Sequence, residues 1–174
     1  SSTSRGLGDV YKRQVLSGHN SSNLDYVSSS ALSLNSGSIA DAAGNNATLT
    51  LVSPGATASL GSNKSIVIDG IVPTISIVTS TSSDGNYSVG DVIPISILFS
   101  ESVTVSGTPQ LTLETGSSDA VVDYSTGSGT PTLIFNYTVA SGHTSSDLDY
   151  ASTSALTLNS GTVNDAAGNA SILT

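Results

Sequence analysis

The feature that most constrains what this chain can fold into is an internal repeat. The run from Val15 to Tyr26, VLSGHNSSNLDY, returns from Val139 to Tyr150 as VASGHTSSDLDY, and Asp41-Ala-Ala-Gly-Asn45 returns as Asp165-Ala-Ala-Gly-Asn169, both displaced by 124 positions. Aligned without gaps, residues 15–50 and 139–174 agree at 24 of 36 positions. A period of 124 lies far outside the roughly 20 to 50 residues of solenoid repeats, whose units bury a core only by stacking. Each unit is therefore expected to be a domain of its own in a tandem array. Residues 15–70 read as the C-terminal half of one repeat and 71–174 as a second repeat. Such close copies follow from recent duplication, so their agreement marks no residue as functional by itself.

Within the repeat the period of apolar residues is two. Thr74 to Val78 alternates, as do Ile93, Ile95, Ile97 and Phe99, then Leu111 and Leu113, Val122 and Tyr124, and Leu133, Phe135, Tyr137 and Val139. Turn-forming runs at 83–86, 106–109, 116–119 and 126–129 separate them, and no stretch has helical periodicity. The expected fold is all-β, an antiparallel β-sandwich of about seven strands per complete repeat. Strands are expected at about 74–79, 92–99, 110–115, 120–124, 132–139 and within 148–158, with a last strand at Ser65–Asp69 in the first repeat. A disordered Ser/Thr-rich stalk is the competing reading, and a mean hydropathy of +0.14 with sustained alternation argues against it.

Composition removes whole classes of function. Thirteen acids against four Lys and Arg give a net charge of -9, which opposes binding to nucleic acid or anionic lipid. Three of those four bases fall in the first fourteen residues. Gly8 to Gln14 resembles the translated adapter of a sequencing library, so residues 1–14 are read as adapter artefact, with a disordered terminus as the alternative, and the chain as a metagenomic fragment. Without cysteine there is no disulfide, thiol nucleophile or Cys-ligated metal. No apolar run is long enough for a membrane span. His143, Ser141 and Asp147 lie close in sequence, but a triad is defined by geometry, no nucleophile elbow is visible, and Asp147 is Asn23 in the other copy. The chain is read as no enzyme, with His143 on an exposed loop. Six Asn-x-Ser/Thr sequons decide nothing in so Asn- and Ser-rich a chain.

Val89 to Glu101 (VGDVIPISILFSE), Gly107 to Leu113 (GTPQLTL), Ser65 to Asp69 (SIVID) and the Asp165 to Asn169 run together resemble tandem bacterial Ig-like repeats of giant surface adhesins. They are similar also to the swimming-motility cell-surface protein repeat. The resemblance covers residues 15–174; it departs from shorter versions by the insert Leu51–Asn63. It implies an Ig-like sandwich in an extracellular stalk, at a bacterial cell surface or secreted, whose function is adhesion and spacing, often rigidified by calcium between domains. The implied partners are neighbouring repeats and a cell-surface or carbohydrate ligand. The alternative is a carbohydrate-binding accessory module of an extracellular enzyme, for which the absence of Trp leaves few aromatic platforms.

Counting strand directions brings the acids to one end of the second repeat. If the first strand runs away from the linker, the second returns and leaves Glu101 beside Asp69, and the turn after the sixth, with Asp165 and Asn169, falls at the same end. Calcium takes six to eight oxygen ligands in flexible geometry, which Asp69, Glu101, Asp165 and Asn169 with backbone carbonyls can supply. Neither an EF-hand loop nor a GGxGxD repeat is present. The competing reading is that these acids terminate strands and keep the surface soluble. Position 174 corresponds to 50, so the second repeat is expected to lack its last strand, expose an apolar edge and pair between chains.

Overall fold

A computed structural model describes residues 14–174; the expectation for residues 1–14 lies, but for Gln14, outside them. The chain divides into two compact units with the boundary between Gly70 and Ile71.

The first unit carries little regular structure. Strand β1 (Asn20–Ser21) pairs antiparallel with β2 (Ile68–Asp69), and a single helical turn, α1 (Leu60–Asn63), lies between them in sequence. Ser59 caps that turn, its hydroxyl accepting from the Ser62 N–H at 3.1 Å. The turn falls inside the insert 51–63, where no helix was expected. The last strand is likewise shorter than the expected 65–69, its ladder confined to Ile68 and Asp69.

The second unit is all-β, as its alternation predicts, and its sheet is antiparallel. Its strands are β3 (Ile75–Ser80), β4 (Val92–Ser106), β5 (Gln110–Glu114), β6 (Ala120–Thr126), β7 (Thr130–Thr138), β8 (Asp149–Tyr150), β9 (Leu156–Thr157) and β10 (Thr162–Asn164). Their order is β10-β4-β7-β6-β5-β8, with β3 on β4 and β9 on β5. The sheet curls over one core, in which Ile97 and Phe99 of β4 join Leu133 and Phe135 of β7, Leu111 of β5 and Val163 of β10. Phe135 is fully buried and meets Tyr124 edge-on, ring centroids 6.1 Å apart.

Three details differ from simple alternation. A bulge between Ile75 and Ile77 flips the phase of β3, so Ile75 and Val78 pack on the core while Ile77 is 51% exposed. The expected strand 92–99 runs on to Ser106. Leu98 pairs with Thr132 and Val103 with Thr130, so 99–102 bulge opposite Pro131, which has no N–H to offer the ladder. Beyond the bulge β4 takes β10 as its partner. The expected sixth strand is split into β8 and β9, and β10 was not expected at all. Among the described residues no helix is long and apolar enough to cross a membrane.

Candidate metal centre

The four expected ligands fall on three elements. Asp69 closes β2 in the first unit and is half-buried. Glu101 sits in β4 inside the bulge between Leu98 and Val103, rather than at a strand end. It shares the phase of Phe99 and Val103, which are 2% and 0% exposed, so the strand aims a carboxylate where its neighbours aim core side chains. Glu101 itself is half-buried. Asp165 and Asn169 belong to the turn after β10.

That turn builds itself from its five residues. The Asp165 N–H donates to the Asn169 carbonyl at 3.1 Å, and the Asp165 carboxylate accepts from the Asn169 N–H at 2.8 Å and from the Asn169 side-chain amide at 2.7 Å. Gly168 supplies the φ of +90° that the reversal needs. The Asn169 amide also donates to the Ile71 carbonyl at 3.2 Å, and the Ile172 N–H to the Pro73 carbonyl at 2.8 Å, tying the turn to the first residues of the unit. The result is an Asp165 only 5% exposed, with a carboxylate oxygen within 4.8 Å of one from Glu101. Two carboxylates this close repel unless something positive or a proton stands between them.

The structure brings Glu101, Asp165 and Asn169 together within the second unit. The sequence reading placed Glu101 at a strand end and missed its inward phase, although Val103 and Val105 continue the alternation past it. It also missed the Ile71 carbonyl, because a backbone acceptor has no signature in sequence.

The histidine is placed differently from expectation. His143 is half-buried, its Nδ1 sharing a hydrogen bond of 2.8 Å with the Tyr137 hydroxyl, and the two rings stack at 5.8 Å. Burial pushes the Tyr137 hydroxyl above its ordinary pKa. No hydrogen bond links Ser141, His143 and Asp147 among the described residues. No protein-family model, curated protein or solved structure matches this chain.

Proposed function

We propose that the chain is a structural and adhesive repeat module of a bacterial cell-surface or secreted adhesin, a spacer that calcium stiffens. The observation that carries this reading is the pair of neighbouring carboxylates, Asp165 buried and Glu101 half-buried, with oxygens within 4.8 Å of one another, where like charges repel. A divalent cation relieves that repulsion, and oxygens of this kind are what calcium selects. The Asn169 amide holds Asp165 in place rather than competing for the ion's charge. Asp69 stands two residues before Ile71 in the chain, a reach of about 7 Å, so connectivity allows a linker carboxylate to join the set. Calcium held by groups on both sides of Gly70 would stiffen the linker, and neighbouring repeats are then the module's first partners. The internal repeat and the resemblance to Ig-like adhesin repeats support spacing, away from a cell surface, as the role.

Titration calorimetry of calcium into the full chain, with melting curves in calcium and in chelator, tests the reading. Calcium at 100 times its dissociation constant should stabilise the chain by about 2.7 kcal/mol, visible as a rise in melting temperature. Glu101→Gln and Asp165→Asn should each weaken binding, and Asp69→Asn should do so if the linker contributes. No heat and superimposable melts would remove calcium from the proposal.

A further inference from the structure

Strand β6 serves two partners in succession, and the change of partner opens a gap. Its first half pairs with β5, Ala120 to Asp123 lying opposite Leu113 to Gln110, and its second half pairs with β7 through Tyr124 on Phe135 and Thr126 on Ile134. No register pair carries the β7 ladder back beyond Tyr124. Where the register would set Val121 against Thr138 there is instead a groove of about 660 Å³, lined by residues 119–125 and 136–138 together with His143. Two bonds fix the backbone directions. The Tyr124 N–H donates to the Pro109 carbonyl on the β5 side at 2.8 Å, and the Val139 N–H to the Asp91 carbonyl on the β4 side at 2.9 Å. Backbone groups alternate sides along a strand, so those of Val121 and Thr138 point into the groove.

The side chains sort by the same alternation. Ala120 and Val122 are 9% and 7% exposed, while Val121 between them is 59% exposed and shares its face with Asp119 and Asp123. The acids continue across that face of the sheet. Asp123 lies opposite Gln110, whose amide donates to it at 2.8 Å, and one further step of the β5–β6 register sets Asp119 beside Glu114, which is itself paired with Asp149. Like charges directly opposite one another destabilise a sheet, and cationic side chains laid along β6 relieve them. A second copy docked by this same face would set acid against acid.

We propose that the groove takes an extended segment of a partner polypeptide with basic side chains at positions i and i+4. The segment adds to β6 as an antiparallel strand, its middle residue opposite Val121 and exchanging both backbone bonds with it. Its first and fifth side chains, Lys or Arg, then lie beside Asp123 and Asp119. Its second and fourth turn inward over the buried Val122 and Tyr137, which line the groove. Backbone pairing supplies an anchor open to any extended chain, and the acids select its charge. None of Asp69, Glu101 and Asp165 takes part, so the proposal stands independently of calcium.

Three short peptides, each acetylated and amidated, test this on the full chain: Lys-Val-Thr-Val-Lys, the same peptide with its Thr nitrogen methylated, and Glu-Val-Thr-Val-Glu. Binding is followed by amide NMR. The lysine peptide should shift the Val121 amide and slow its exchange with solvent. Methylating the peptide nitrogen, or reversing the charges, should each weaken binding about tenfold or more, the scale of one net hydrogen bond. Asp119→Asn combined with Asp123→Asn changes two exposed side chains and should weaken the lysine peptide to a similar extent. A lysine peptide bound no more tightly than the glutamate peptide would overturn the charge selection, and one indifferent to methylation would overturn strand addition. Shifts at Val121 with a neutral hexasaccharide, and with none of the peptides, would overturn the polypeptide as occupant.

Discussion

At Asp41 and Asp165 the same five residues make the same turn in two different surroundings. The backbone bond across the turn is 3.0 Å in the first copy and 3.1 Å in the second, and the Asn side chain reaches the Asp carboxylate at 2.8 Å and 2.7 Å. Even the glycine is matched, with φ +90° at both Gly44 and Gly168. Yet Asp41 is exposed, whereas Asp165 is 5% exposed beside Glu101. Local sequence therefore decides the turn, and the strands packed around it decide whether its carboxylate faces water or another acid.

The sharpest way to break this comparison is to delete the same side chain from both copies. Leu32 and Leu156 are equivalent, at 42% and 6% exposure. Leu156→Ala should cost about 2–5 kcal/mol by denaturant unfolding, the range for a buried leucine, and Leu32→Ala less than about 1 kcal/mol. Equal costs would mean that the copies share more than local structure. The turn acids come next. Asp165→Ala removes a buried acceptor of two Asn169 donors and should cost about 1–3 kcal/mol, while Asp41→Ala should stay within about 1 kcal/mol.

The two histidines give a smaller contrast. His19 accepts from the Leu16 N–H through Nδ1 at 3.1 Å, whereas His143 also shares a hydrogen bond with the Tyr137 hydroxyl and stacks on its ring. His143→Ala should therefore cost about 1–1.5 kcal/mol and His19→Ala a few tenths, with Tyr137→Phe losing most of the His143 effect. The smallest effect is a pH dependence in the first unit. The Asn45 side-chain amide, helped by backbone N–H groups, holds the Asp41 carboxyl below its ordinary pKa. A lowered folded value stabilises the turn above the unfolded pKa, and that contribution disappears as pH falls through roughly 4 and below. An NMR titration of the Asp41 carboxyl should have its midpoint below that of an unstructured peptide, and Asn45→Ala should raise it.

Much of the second unit was legible in sequence because its strands bury one face. Ile93, Ile95, Ile97 and Phe99, and Leu133, Phe135 and Tyr137, announce β4 and β7 by period two, and both are where the alternation puts them. Strands without that signature were missed or misjudged. β10 has one buried residue, Val163, and the pieces β8 and β9 are two residues each, too short for any period to register. Of the candidate centre, the types and rough placement of Glu101, Asp165 and Asn169 were readable, but the burial of Asp165 was not.

What the sequence by itself determined is everything that depends on near neighbours along the chain. It set the phases of β4 up to Phe99 and of β7, the self-bonded Asp-Ala-Ala-Gly-Asn turns and the equivalence of the two copies, because these rest on backbone geometry and contacts within a few residues. Tertiary structure alone decided the bulge of β3, the change of partner along β4 opposite Pro131, the stacking of His143 on Tyr137 and the nearness of Glu101 to Asp165. Those depend on which distant segments share a core. Two copies of one sequence, given different neighbours, answer that question differently.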